Sequence, residues 1–248
     1  METLRCEGLT KSFDAVYALK SVTLQFPSSG VVAIIGPNGA GKTTLLNVLT
    51  GFLKPDAGKC FLGDIELTSL PPHKIARLGI ARSFQDLRLI SRTSTLDNVL
   101  LARPGQRGER LIPALFNLGW AAGDDENIRE AKLLLQRVGL SEYANELAGE
   151  LSYGQQKLLS LACCLATNAR VIFLDEPVAG VSPQMASRIV SLLRSISAED
   201  KLILFIEHDL TAVRLADTIV VMDHGKIIAQ GTPDDVLKRP EIMEAYLG

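Results

Sequence analysis

The segment 31–49, VVAIIGPNGAGKTTLLNVL, constrains the fold more than any other stretch of this 248-residue chain. It opens on a short, apolar, β-branched run ending at Gly36, the pattern of a strand buried on both faces. It closes on Leu45, Leu46 and Leu49, spaced for one face of a helix. Between them Gly36, Pro37, Asn38, Gly39, Ala40, Gly41, Lys42, Thr43 and Thr44 fit G-x-x-x-x-G-K-[ST] in the strand–loop–helix context that pattern requires. Glycines let the backbone bend so that successive N–H groups point inward. With the positive end of the following helix, those donors cradle a polyphosphate. In such a loop Lys42 reaches the β- and γ-phosphates and the Thr43 hydroxyl is a Mg2+ ligand.

Similar apolar runs recur as VIFLD (171–175), LILFIE (202–207) and TIVVMD (218–223). Helical periods lie between them, as in Ile189, Leu192, Leu193 and Ile196. This alternation predicts an α/β fold with a parallel sheet covered on both faces. Earlier, Leu19, Val22, Leu24 and Phe26 alternate as in a half-buried antiparallel strand. Ser182–Pro183 and Thr232–Pro233 read as helix starts, a cap residue followed by Pro at the first helical position. Ser152 with Gln155 reads as a capping box before the apolar run 158–165. From 103 to 125 the residues Pro104, Gly105, Gly108, Pro113, Gly119 and Gly123 break any long helix. Helical pattern returns from Asn127 to Val138 and stops at Gly139. The expectation is one domain over 1–248 with a mostly helical insert at 86–160.

Composition excludes several classes. The formal net charge is −2, whereas a dedicated nucleic-acid binder usually carries a basic excess. Cys6, Cys60, Cys163 and Cys164 form no C-x-x-C pair, and three histidines accompany them, so neither a zinc site nor a disulfide framework is expected. Cys163 and Cys164 read as small buried apolar residues. The N-terminus METLRCEGLTKSF lacks the apolar run of a signal peptide, and no stretch approaches the ~20 apolar residues of a membrane span. The chain is expected in a reducing cytosol, held at any membrane by another protein.

Chemistry at a phosphate loop needs a carboxylate at the end of a neighbouring strand. In VIFLDEP, Asp175 ends the apolar run and is expected to orient Mg2+ through water, with Glu176 next as general base. In LILFIEHD, His208 follows another strand end, where open α/β sheets place ligand groups, and is assigned a γ-phosphate contact. His73 and His224 lack such context and read as surface or core residues.

A phosphate loop alone fits kinases, GTPases and helicases. The segment LSYGQQ (151–156) resembles the signature motif of ABC ATPases. The resemblance runs in order through KSF, GPNGAGKTT, SFQ, LSYGQQ, VIFLDEP and IEHD, and so covers essentially the whole chain. It implies a P-loop NTPase core with a parallel sheet, an N-terminal antiparallel β subdomain and an inserted α-helical subdomain. It implies that ATP is sandwiched in a head-to-tail dimer between one chain's phosphate loop and the other's signature helix, contacted through Ser152, Gly154 and Gln155. The Ser152 cap and the small Gly154 suit a phosphate at a helix N-terminus. By resemblance Gln85 of SFQ senses Mg2+ and the attacking water, and Phe13 of KSF stacks on adenine, with Tyr17 as rival stacker. Tyr153 stands where the commoner signature has Gly, and Ser182 where Asp is usual.

Within that superfamily LSYGQQ, EPVAGVSP, the insert around 112–120, GTPDDV and the terminal AYLG resemble the ATP-binding subunits of branched-chain, or hydrophobic, amino-acid importers. Urea-importer subunits are similar in parts. This implies an ATPase at the cytoplasmic face of the plasma (inner) membrane. Its partners would be a second ATPase subunit, identical or homologous, two transmembrane permease subunits and a separate solute-binding protein. The insert LIPALFNLGW either grips the permease or packs on its own subdomain. Two other classes remain open at this point: a soluble ABC ATPase acting on nucleic acid or ribosomes, and a P-loop kinase, which would have no use for LSYGQQ.

Overall fold

The computed structural model describes residues 3–83, 87, 89–104, 120–240 and 242. The chain begins with β1 (Leu4–Phe13), β2 (Val16–Gln25), β3 (Gly30–Ile35), α1 (Lys42–Leu49), β4 (Ala57–Leu62) and β5 (Ile65–Glu66). It continues through α2 (Pro72–Arg77), β6 (Ile80–Arg82), α3 (Thr95–Ala102), α4 (Trp120–Val138) and α5 (Tyr153–Ala166). The remainder is β7 (Val171–Asp175), α6 (Pro183–Ser197), β8 (Leu202–Ile206), α7 (Leu210–Val213), β9 (Thr218–Asp223), β10 (Lys226–Gly231) and α8 (Pro233–Val236). The described residues fall into two compact units, one drawn from Met1–Arg82, Arg170–Ala179 and Pro183–Gly248, the other from Ser83–Ala169 and Gly180–Ser182.

The first unit holds two sheets. The small one has the order β2-β1-β4-β5 and is antiparallel throughout. The large one has the order β10-β9-β3-β8-β7-β6, with parallel pairing from β9 to β6 and an antiparallel edge at β10. The apolar runs read as strands are β3, β7, β8 and β9; the short β6 carried no comparable signal. Leu4, Leu24 and Phe26 from the small sheet and its margin share one apolar cluster with Leu45, Leu46 and Leu49 of α1 and with Val32, Ile34, Phe173, Leu204 and Ile206 of the large sheet. Burial of each such side chain is worth roughly 1.5–3 kcal/mol, so this cluster supplies the main cohesion between sheets and helix. The alternate residues Val31, Ala33 and Ile35 are buried too, as a doubly covered strand requires. Helix α6 packs on β3 and β8 and buries Ile189, Val190, Leu193 and Ile196.

In the second unit α3, α4 and α5 pack on one another. Ser94 caps α3 by accepting the Asp97 N–H. The neighbouring Asn98 amide donates to Ile90 O, Thr93 Oγ1 and Ser94 O. Helix α4 starts at Trp120, seven residues before the expected Asn127, and takes Gly123 into its first turn. One glycine costs a helix only about 1 kcal/mol, and Ala131, Leu135 and Val138 offset it by full burial. The helix stops where expected: Gly139 follows, and the Leu140 N–H closes back on Leu135 O at 2.7 Å.

All four cysteines are free. Cys6 and Cys60 face each other across β1 and β4 with sulfurs 3.7 Å apart. Cys164 is buried, as expected, whereas Cys163 is only partly so and donates to Asn98 O. Among the described residues, no helix is long and apolar enough to cross a membrane.

Candidate functional site

The register of the large sheet aligns three strand ends. Ile34 of β3 lies opposite Ile206 of β8, and Ile206 lies opposite Asp175 of β7. The chain leaving β3 becomes the loop Gly36–Thr44, the chain leaving β8 carries His208, and β7 ends in Asp175 followed by Glu176. Most of the residues singled out for phosphate chemistry therefore share the carboxyl edge of three adjacent parallel strands.

The loop is built by its glycines. Gly41 adopts φ +100, and a Cβ there would run into Ala18 O, so no other residue fits without displacing β2. Gly41 is also the N-cap of α1 and brings no capping side chain, and the first helical turn contains no acid. Its amide donors face an electropositive mouth suited to an anion. The Ala40 N–H bonds Pro37 O at 3.2 Å, and Ala40 O takes the Gly225 N–H at 3.1 Å, which ties the loop to the β9–β10 turn. Asn38, Gly39 and Thr43 are exposed; Pro37 and Thr44 are half-buried.

Lys42 is buried, and its Nζ donates to Gly36 O at 2.7 Å and Pro37 O at 2.9 Å. Burial lowers its pKa, and the nearby Glu176 and Asp175 carboxylates oppose that shift. The ammonium is thus held inside the loop by neutral carbonyls that a phosphate oxygen can replace.

Asp175 is buried, and desolvation raises its pKa, while Arg82 pulls it back down. Arg82 Nη2 lies 3.5 Å from Asp175 Oδ2, with both side chains 7% exposed. Arg82 Nη1 also donates to Asn47 Oδ1 at 2.6 Å and Thr50 Oγ1 at 3.2 Å, so it links α1 to the end of β7. Glu176 has φ +50, a left-handed backbone that non-glycine residues rarely adopt. Its N–H is held by Ile206 O at 3.0 Å, and its Oε1 lies 3.7 Å from His208 Nε2. A carboxylate and an imidazole beside a phosphate loop can together orient a water and contact a terminal phosphate.

Ser152, Gly154 and Gln155 lie at the start of α5 in the second unit. The expected capping box is present: the Gln155 N–H donates to Ser152 Oγ at 3.4 Å and the Ser152 N–H to Gln155 Oε1 at 2.8 Å. The Tyr153 ring lies against Gly180 and under the Lys157 ammonium, 5.3 Å from its centroid. Phe13 and Tyr17 sit at the open end of the β1–β2 hairpin, 49% and 54% exposed, so both can present a ring face. Gln85, the 105–119 part of the insert and the terminal AYLG lie outside the described residues.

Two residues were missed by the sequence reading. One is Arg82, whose only signal was its place just before SFQ. The other is Glu207, 2% exposed, whose Oε1 accepts the Val178 N–H at 2.7 Å and whose Oε2 accepts the His208 N–H at 3.1 Å. Among the described residues no group of three or more His, Cys, Asp or Glu could hold a metal ion. The oxygens available at the loop are the Thr43 hydroxyl and the Asp175 carboxylate, hard donors that suit a Mg2+ ion keeping much of its own water.

Comparison with known proteins agrees with this geometry. Residues 19–179 match the family model of the ABC transporter. The high-affinity branched-chain amino acid transport ATP-binding protein BraF of Pseudomonas aeruginosa is 39% identical, covering 99% of this chain and 97% of the relative. LivG of Escherichia coli, described in the same words, is 37% identical with the same coverage. A solved ADP conformation of an ATP-binding cassette of an ABC transporter is 36% identical, with a TM-score of 0.86 over 100% of this chain and 99% of that one. A dimeric cassette in a post-hydrolysis state, bound to ADP and Pi, is 27% identical with a TM-score of 0.78, covering 93% and 98%. The chain belongs to the ABC transporter family, as one of its ATP-hydrolysing cassettes.

Proposed function

We propose that this chain energises a membrane importer of branched-chain or other hydrophobic amino acids, with urea as the related alternative cargo. Relatives aligned over nearly the full length carry that transport activity in their names, which favours an importer over an ATPase acting on nucleic acid. It works as one ATPase domain over 1–248 with the helical subdomain at 86–160, pairing with a second, identical or homologous, ATPase subunit. A dimeric structural neighbour supports the pairing. Another neighbour, part of a transporter complex, supports attachment to membrane partners. We place the chain peripherally on the cytoplasmic face of the plasma (inner) membrane, under two permease subunits and in a system with a separate solute-binding protein.

The observation that carries the catalytic reading is the approach of Glu176 and His208 beside the Gly36–Thr44 loop. ATP binds with its phosphates on the loop amides, Lys42 on the β- and γ-phosphates, and Phe13 or Tyr17 on adenine. Thr43 and Asp175, with Gln85, would hold Mg2+, which supplies charge neutralisation of the phosphates when bound. Glu176 accepts a proton from water as the water oxygen bonds to the γ-phosphorus. The bond from that phosphorus to the bridging oxygen breaks, and ADP leaves with the electron pair. His208 donates to a γ-phosphate oxygen. In the dimer Ser152, Gly154 and Gln155 of one subunit cover the phosphates held by the other. ATP therefore favours the closed dimer and its hydrolysis the open one, and membrane partners read that shift.

Glu176→Gln tests the assignment. ATP binding should persist, turnover should fall roughly a hundredfold or more, and an ATP-bound dimer should accumulate on gel filtration. Turnover near the unsubstituted rate would refute the base.

A further inference from the structure

We infer that Glu207 is a positioning residue for catalysis, setting the geometry between Glu176 and His208. This rests on the roles proposed above for those two side chains. The parallel ladder between β7 and β8 ends at Asp175 opposite Ile206, and the Glu176 N–H makes one more bond, to Ile206 O at 3.0 Å. There the chain turns: Glu176 takes φ +50. A non-glycine residue persists in that conformation only where its surroundings over-determine it. The turn also carries the next amide out of the ladder, so the buried Val178 N–H needs another acceptor.

Glu207 supplies it. One carboxylate oxygen takes the Val178 N–H at 2.7 Å and the other takes the His208 N–H at 3.1 Å. A single buried side chain thus grips the turn that presents Glu176 and the turn that presents His208. Its chemistry is specific to this task. Both partners are donors, and a carboxylate is acceptor-only on both oxygens. A hydroxyl offers one oxygen, and an amide would set its NH2 against one of the two N–H groups. Burying a charge to 2% exposure is costly. Ending a strand does not require it, because neutral Ser, Thr or Asn side chains satisfy turns routinely. Fixing two turns against each other at once does.

The test uses the full chain for nucleotide binding and the assembled transporter for turnover. Glu207→Gln keeps the size and one acceptor oxygen, and should lower kcat roughly tenfold to a hundredfold with KM and Kd for ATP within about twofold. In a Glu176→Gln background it should cost nothing further, because the geometry it sets no longer serves a base. An unchanged kcat, an equal loss in ATP affinity, or a full additional loss in the Glu176→Gln background would each overturn the inference. Glu176→Gln alone separates the two claims. If it retains turnover, the base assignment fails; if it abolishes turnover while Glu207→Gln is fully active, only the positioning role fails. Amide hydrogen exchange on the unsubstituted chain is independent of any variant's folding. The Val178 and His208 amides should be protected like those of β8, and exchange at the rate of open turns would overturn the proposal.

Discussion

Replacing Arg82 by Met removes a cation that the structure places between the phosphate-loop helix and the buried Asp175. Three contacts are lost, to Asn47 Oδ1 at 2.6 Å, Thr50 Oγ1 at 3.2 Å and Asp175 Oδ2 at 3.5 Å. Hydrogen bonds from a charged donor are worth about 1.5–3 kcal/mol, and breaking a buried ion pair costs about 3–5 kcal/mol. The long contact to Asp175 and the nearby Lys42 ammonium argue for the lower part of that combined range. The net cost is about 3 kcal/mol, or ~6–12 °C in melting temperature for a chain of this size. The loss depends on pH with a definite sign. Burial already raises the Asp175 pKa above the usual carboxylate value, and Arg82 opposes that rise. Above the raised pKa the ionised, buried carboxylate opposes folding, and removing Arg82 pushes the pKa higher still. The variant's deficit is therefore largest at neutral and alkaline pH and shrinks as the pH falls through the raised value, where the carboxyl takes up a proton. Thermal melts of both chains at pH 8 and pH 5 measure this, and Asp175→Asn supplies the control background in which Arg82→Met should cost less. A shift below about 1 °C at pH 8, or the same shift with and without the Asp175 charge, would refute the clamp.

Two further outcomes follow from local geometry. Ser152→Ala removes half of the capping box on α5 and should cost about 1 kcal/mol of stability, while turnover of the assembled transporter falls about tenfold or more; equal activity would remove Ser152 from the composite site. Burial pushes the Cys163 and Cys164 thiols up to about 12, so alkylation at pH 8 should proceed only through unfolding; rapid labelling of the native chain would refute this.

The parts of the fold that were legible share one property: their determinants are local. The strand VVAIIG, the loop Gly36–Thr44 and the leucines of α1 announce themselves because burial on both faces, positive φ and helical period each leave a mark within a few residues. The Ser152–Gln155 capping box is equally local. The start of α4 was misplaced because glycine punctuation was weighed above burial, and burial of Ala131 and Leu135 depends on which helices pack nearby. Strand β6 has three residues, too few for a period to register.

The candidate site divides along the same line. Lys42, Asp175, Glu176 and His208 were legible because each stands at a fixed offset from a strand end, and parallel sheets gather such ends along one edge. Arg82 and Glu207 were not, because what each does depends on strand order. Glu207 meets the Val178 amide only because β8 lies beside β7 in the order β3-β8-β7-β6, with α6 intervening in sequence. Arg82 meets Asp175 only because the short β6 pairs with β7 in register, Arg82 opposite Phe173. Side chains of this kind bind their partners across the sheet, so no window of sequence contains both ends of the interaction. The same topology explains why they sit at the base of the site and not at its mouth. A group that must hold two strand ends in place has to lie between them, where water is excluded and a single acceptor-only carboxylate or forked guanidinium is worth most. Exchanging either for a neutral isostere therefore perturbs the relative placement of the groups above it before it perturbs their identity, which is why turnover, and not nucleotide affinity, is the quantity Glu207→Gln should move.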